Sequence, residues 1–357
     1  ALLAVSLIWV AAGACGAVPF MLGAGMSAAD AFFESVSGLT TTGATVIDDI
    51  EGRLSRPLLL WRSLIQWLGG MGIVVLFVAV FPNLGAGGKH LFRGEVPGTT
   101  AEGLRPRIAE TSFALWKLYG VLTIVEIALL KLLGLDLFDA VCHAFTTMST
   151  GGFSTLDSSV GGFDSAAVEY VIACFMLIGS VNYGLYYALL RTGNWRSLVR
   201  NIEFRWYVAI VVTAVLVLTI LNLSVHDEIL TSFRYSFFMV ATTISSTGYV
   251  TDDYSAYSST ALTVVILLMF VGGCSGSTAG GIKIERAVLM GKQAVSQIQK
   301  SFRPATVQLV RMGRAAVSNQ VLSDVASFFL IYMGCIGAGL LFVTLVEGVP
   351  VPTAFGT

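Results

Sequence analysis

Long apolar stretches alternate with short polar loops along this chain. Seven stretches, roughly 1–23, 63–88, 111–135, 170–190, 206–225, 259–282 and 325–346, are apolar enough to be membrane-spanning helices. A helix needs about 20 such residues to cross the hydrocarbon core. The stretch 111–135 is the most interrupted, by Lys117, Glu126 and Lys131. After the first, third and fifth stretches comes a half-apolar segment of about a dozen residues, too short to cross. These segments are 30–39, 138–145 and 233–240, and each predicts a re-entrant helix. Each runs into a glycine-containing loop. Irregular backbone at membrane depth survives only where it lines water or protein, so these loops imply a cavity.

Composition turns the pattern into a class. The chain is 55% hydrophobic and 12% charged, against about 25% charged for soluble domains. The prediction is an all-α integral membrane protein. The net charge of −1 hides an asymmetry. The loops after the second, fourth and sixth spans carry Lys89, Arg93, Arg105, Arg107, Arg191, Arg196, Arg200, Arg205 and a basic run from Lys283 to Arg314. The alternate loops carry most carboxylates, among them Asp48, Asp49, Glu51, Asp157, Asp252 and Asp253. The positive-inside rule makes the basic loops cytoplasmic, which puts the glycine loops on the outer side. The acidic loops there either raise local cation concentration or keep that face solvated. The basic run interleaves apolar residues and suits anionic lipid or a cytosolic partner. Five scattered cysteines, with no CxxC, predict neither disulfide nor metal site.

One phrase recurs three times. It reads Thr40-Thr41-Thr42-Gly43-Ala44-Thr45, then Thr147-Met148-Ser149-Thr150-Gly151-Gly152-Phe153, then Ile244-Ser245-Ser246-Thr247-Gly248-Tyr249. Repetition at this period suggests one structure built from copies. Glycine admits positive φ, so carbonyls can turn toward a common axis. Threonines add hydroxyl oxygens, and a ring of neutral oxygens replaces part of a dehydrated cation's hydration shell. The C-terminal, partly negative end of each short helix points at the same place. The candidate ion-binding residues are therefore Thr41, Thr42 and Gly43, with Ser149, Thr150 and Gly151, and with Ser246, Thr247 and Gly248. One Thr/Ser-Gly step per loop predicts fewer ordered ion sites than a long filter holds. A single Thr-Gly would simply be a helix cap; three in matched contexts favour a pore. Asp30, Asp139 and Asp227, near the starts of the short helices, fit N-terminal capping.

The copies divide the chain into repeats 1–104, 105–200 and 201–316, with 317–357 as the start of a fourth. Thr353-Ala354-Phe355 echoes Asp30-Ala31-Phe32, so the sequence reads as a piece of a longer chain. A second special stretch, 272–281, is crowded with small residues. Gly272, Gly273, Gly276, Ser277, Gly280 and Gly281 weaken any helix, at roughly 1 kcal/mol per glycine. They predict an unwound loop that gates the pore; Gly272, Gly276 and Gly280, spaced four apart, equally suit close helix packing. Glu126, within a span, calls for a partner, and Asn182 suits either the pore or a bond across helices. A nucleotide-binding reading fails, because no Gly-Lys-Ser/Thr follows the glycines.

The motifs resemble the membrane subunit of TrkH-type potassium uptake systems, in the TrkH/KtrB/HKT superfamily. They are 30–35 leading into 39–45, Gln66-Trp67-Leu68-Gly69-Gly70-Met71-Gly72, Arg105-Pro106-Arg107-Ile108-Ala109-Glu110-Thr111, Gly151-Gly152-Phe153-Ser154-Thr155 and 272–278. The resemblance implies four pseudo-repeats of helix, pore loop and helix. It implies K+ held at the filter residues, with selectivity carried by Gly43, Gly151 and Gly248, and no organic cofactor. It also implies that 272–281 is an intramembrane gate. The implied assembly is a homodimer in the lipid bilayer of a bacterial inner membrane, seated on a cytosolic TrkA-like nucleotide-binding ring, with no nucleic acid. The alternative is a symporter coupling potassium to H+ or Na+. An intramembrane enzyme lacks a nucleophile or metal set, since His90, His143 and His226 stand apart in the sequence.

Overall fold

The computed structural model describes residues 2–80, 104–303, 310–312 and 315–348. The expectations for 81–88, for Lys89 and Arg93, for Arg314 and for the echo at 353–355 lie outside the described residues. The chain forms two compact units, Ala1–Ile284 and Glu285–Thr357.

In the first unit the helices are α1 (Leu2–Ala24), α2 (Ala28–Leu39), the single turn α3 (Ile50–Arg53), α4 (Arg56–Val80), α5 (Leu104–Leu132), α6 (Leu137–Met148), α7 (Ala166–Gly179), α8 (Tyr183–Thr192), α9 (Trp195–Arg200), α10 (Ile202–Leu221), α11 (Ile229–Ser245) and α12 (Ser259–Val271). The second unit holds α13 (Ile284–Phe302) beyond its first residue, and α14 (Asn319–Glu347). It also holds a two-residue ribbon that pairs Arg311 with Ala316 and Met312 with Ala315. The all-α class stands.

Among the described residues, four helical stretches are long and apolar enough to cross a membrane: Ser6–Ala24, Ser112–Leu132, Ile202–Ser224 and Asn319–Val346. Leu7, Ile8, Leu22, Ile124, Leu132, Leu216 and Ile220 on the first three are exposed, an apolar surface that suits lipid and not water. Two predicted spans differ from expectation. The stretch 170–190 is two helices, α7 and α8, meeting at 88°. Asn182 starts α8, its side chain accepting the Gly184 N–H at 2.7 Å. The stretch 259–282 stays helical only to Val271.

The short helices form as predicted, and their caps fall on different residues. Ser27 caps α2 and accepts the Asp30 N–H at 3.2 Å, while its hydroxyl donates to the Asp30 carboxylate at 2.8 Å. Asp136 and Glu228 hold the N-cap positions of α6 and α11. Asp30 and Asp139 sit in the first turn, where a carboxylate favours the helix dipole, and Asp227 precedes the cap.

Apolar burial surrounds these short helices. Ala17, Phe20, Ala31, Leu58 and Ile65 close one cluster around α2. Ala140, Ile172, Met176, Phe238, Ala241 and Tyr249 join α6, α7 and α11. Met71, Leu115, Tyr119, Met148 and Tyr183 join α4, α5, α6 and α8. Burying one such side chain contributes about 1.5–3 kcal/mol, so the three half-length helices are held by packing rather than by their own propensity.

Candidate ion-filter site

Each short helix ends in the same backbone motif. The amides of Thr42, Gly151 and Thr247 each donate to the carbonyl five residues back, on Ser37, Thr146 and Thr242, all at 2.9 Å. The amides of Thr41, Thr150 and Ser246 donate three residues back, to Gly38, Thr147 and Thr243, at 3.0, 2.9 and 3.1 Å. These paired bonds are the Schellman cap, whose turning residue adopts the left-handed conformation. That residue is usually glycine. Here it is Thr41, Thr150 and Ser246, with φ of +55°, +55° and +59°. Two residues later the chain turns left-handed again, at Gly43, Gly152 and Gly248, with φ of +81°, +80° and +86°.

This register corrects one match. The residue equivalent to Gly43 and Gly248 is Gly152; Gly151 is equivalent to Thr42 and Thr247. The Gly-Gly pair in the second loop makes the alignment ambiguous by one residue. The aromatic residue after Gly152 and Gly248, Phe153 and Tyr249, is the one sequence signal for this register.

The loops meet through their backbones. A Cβ on Gly43 would overlap the Gly151 carbonyl oxygen, and one on Gly152 would overlap the Thr247 carbonyl oxygen. Four of the predicted hydroxyls, on Thr42, Ser149, Thr150 and Thr247, bond within their own loop or helix end. Ser149 Oγ donates to Phe145 O at 2.8 Å and Thr150 Oγ1 to Ser149 O at 2.6 Å. Thr42 pairs with Thr40 at 2.8 Å and Thr247 with Ser245 at 2.6 Å. Three helix C-termini and a set of loop carbonyls thus converge, giving negative potential from neutral oxygens. Among the described residues no group of three or more His, Cys, Asp or Glu is placed to hold a metal ion. A site for a weakly held alkali cation needs no such group.

Several scaffold residues are not among the predicted site residues. Arg62 on α4 is buried and donates to Glu34 of α2 at 2.6 Å and to Ser154 O at 2.9 Å, with its guanidinium 3.7 Å over the Phe153 ring. Glu34 also accepts from Thr45 Oγ1, at 3.1 and 3.0 Å, and from Val46 N at 3.2 Å. One buried ion pair therefore ties the returning strands of the first two loops together. Tyr249, directly after Gly248, pairs its hydroxyl with Thr146 Oγ1 and reaches from the third loop into α6. His143 bridges Asp139 O at 2.9 Å and Ser154 Oγ at 3.1 Å.

The 272–283 segment is unwound. Positive φ occurs at Gly272, Gly276, Gly281 and Lys283, and the helix resumes at Ile284. The segment closes on itself through Ile282 N to Phe270 O at 3.2 Å and Ile284 N to Gly273 O at 3.1 Å. It also bonds to the α7–α8 break, through Cys274 N to Ser180 O at 2.8 Å and Tyr183 N to Gly276 O at 3.2 Å. Ser275 N donates to Glu203 at 2.6 Å. Thr278 Oγ1 contacts the carbonyls of Met148 and Gly179, each at 3.1 Å, and a Cβ on Gly280 would stand 3.1 Å from Ser246 Oγ. The loop therefore abuts the C-termini of α6 and α11. The continuous helix that a packing stripe requires is absent from this stretch. Glu126 is buried beside Thr147, and no ion pair to it is seen among the described residues.

These features place the chain among polytopic all-α membrane proteins. The model of the TrkH family, described as cation transport protein, matches residues 3–347. The chain belongs to the TrkH family, a family of transporters and not of enzymes. It is 39% identical over 335 residues to the Trk system potassium uptake protein TrkH of Salmonella typhimurium, covering 92% of this chain and 69% of that one. It is 37% identical over 331 residues to the Trk system potassium uptake protein TrkG of Escherichia coli K12, covering 91% and 68%. The crystal structure of the potassium transporter TrkH from Vibrio parahaemolyticus superposes with a TM-score of 0.88 at 34% identity, covering 98% of this chain and 73% of that one.

Proposed function

We propose that this chain takes up potassium through a channel-like pore whose selectivity filter is the loop set 41–43, 150–152 and 246–248. The observation that carries the reading is the threefold recurrence of one strained backbone motif, at three helix C-termini, in loops that touch through backbone. Strain of this kind persists where the surroundings over-determine it, and it clusters at functional sites. Loop carbonyls replace the hydration shell of a dehydrated ion. In this reading the filter loops face outward, the basic loops face the cytoplasm, and the repeats are 1–104, 105–200, 201–316 and 317 onward. The unwound 272–283 segment gates the pore from beneath. In the same reading, a second copy of the chain and a TrkA-like nucleotide-binding ring complete the assembly.

The test is rubidium uptake into liposomes holding the full-length protein, with potassium and sodium as competitors. The expected result is uptake blocked by potassium and spared by sodium, with that preference lost in Gly43→Ser. The serine Cβ would overlap the Gly151 carbonyl at a φ that L-residues rarely adopt. Equal competition by both ions in the unmodified protein would refute the potassium assignment. The symporter reading draws on the α7–α8 break and the unwound 272–283 segment, since discontinuous helices mark coupled transporters. It requires that uptake stop when the H+ or Na+ gradient is collapsed while the potassium gradient is kept.

A further inference from the structure

The Gln66-Trp67-Leu68-Gly69-Gly70 motif lies on α4, outside the three loops, yet Gln66, Gly69 and Gly70 all face them or the helix ends that carry them. Gln66 is 0% exposed. Its Nε2 donates to the Gly151 carbonyl at 2.8 Å, and its Oε1 accepts the Phe153 amide at 3.1 Å. One side-chain amide thereby closes a ring across Gly152, the left-handed residue of the second loop. The two glycines behind it bring the helix close enough to do this. A Cβ on Gly69 would overlap the Leu39 carbonyl at the end of α2, and one on Gly70 would stand 2.8 Å from Ser149 Cβ at the end of α6. Arg62, one turn earlier, holds Ser154 O and the Phe153 ring. The Gly151 carbonyl held by Gln66 is also the atom that a side chain at position 43 would strike.

We infer that Gln66 is a specificity-determining positioning residue: its amide fixes the Gly151 carbonyl against Gly43 and so sets the spacing between the first two loops. The inference rests on the filter reading of those loops. The chemistry is directional. The site needs one donor and one acceptor in a planar group of this length, which glutamine supplies in neutral form. Glutamate keeps the acceptor but presents a second acceptor to the Gly151 carbonyl. Leucine keeps much of the volume and supplies neither. Because a filter discriminates by the number and placement of its oxygens, a displaced Gly151 carbonyl alters the preference among ions and leaves a conducting path.

The experiment compares unmodified protein, Gln66→Glu, Gln66→Leu and Thr123→Val in rubidium-uptake liposomes, each competed by potassium and by sodium. Thr123 accepts a hydrogen bond from Trp67 Nε1 at 3.1 Å and donates to Tyr119 O at 2.8 Å, so Thr123→Val removes two bonds beside Gln66 without touching a loop. The expected loss of potassium-over-sodium preference is about tenfold or more in both Gln66 variants, with rubidium still admitted and the Thr123→Val preference unchanged. Unchanged preference in either Gln66 variant, or an equal loss in Thr123→Val, would overturn the inference. Hydrogen exchange on the unmodified protein gives an answer even if the variants do not fold: the Phe153 amide is expected to be protected, and rapid exchange there would refute the bond. If the unmodified protein does not discriminate, the filter reading fails first, which separates the two failures.

Discussion

A threonine held in the left-handed conformation costs about 1–2 kcal/mol, and this chain does so at Thr41 and Thr150, with Ser246 doing the same. Glycine, the ordinary occupant of that cap position, is displaced to the second left-handed residue, where in the first two loops a neighbouring loop leaves no room for Cβ. The contrast between Gly151 and Gly152 follows. Gly152→Ala adds strain at φ +80° and overlaps the Thr247 carbonyl, which is backbone; at Gly151 the nearest atoms to the added methyl belong to the Gln66 side chain, which can shift at the expense of its own bonds. The Gly152→Ala variant is therefore expected to lose more thermal stability in detergent than Gly151→Ala. Equal effects would reject the equivalence of Gly152 with Gly43 and Gly248. The buried Arg62–Glu34 pair gives a second residue-level prediction. Removing one partner of a buried pair costs about 3–5 kcal/mol. Glu34→Gln alone should therefore lower the unfolding temperature markedly, while Glu34→Gln combined with Arg62→Met should cost less than the sum of the two single changes. Additive costs in that double-mutant cycle would show that the pair does not interact.

Among the elements, the short helices and the unwound 272–283 segment were legible in the sequence because each leaves a local mark. Half-length apolar segments end in hydroxyls and glycine, and a glycine cluster interrupts a span. The α7–α8 break was not legible. Gly179-Ser180-Val181-Asn182 lies inside a continuous apolar stretch with no proline, and the break is held by distant partners, Cys274 N and Gly276 O. The Glu34–Arg62 and Gln66–Gly151 contacts were hidden for the same reason, since periodicity reports a face and not the residue opposite it. The break and the unwound segment bond to each other, so they are expected to move together. Deleting several residues from 273–280 should raise basal rubidium flux. Unchanged flux in a folded deletion variant would mean that the segment is packing and not a gate. Asn182→Ala removes the α8 cap, worth about 1 kcal/mol, and should raise basal flux in the same assay by a smaller amount. No rise there would uncouple the break from the gate.

Across the first unit, three copies of one motif are brought together by helices that expose apolar faces. α4 carries much of that organisation, because Arg62, Gln66, Gly69 and Gly70 each contact a loop or the end of a short helix. The central claim is a cation lying where the three loops converge. The direct measurement is anomalous diffraction from crystals of the full-length protein in rubidium. The expected result is a peak enclosed by loops 41–43, 150–152 and 246–248, at coordination distance from their carbonyl oxygens and lost on exchange into sodium. A peak elsewhere with none at the loops, or one that sodium leaves in place, would contradict it.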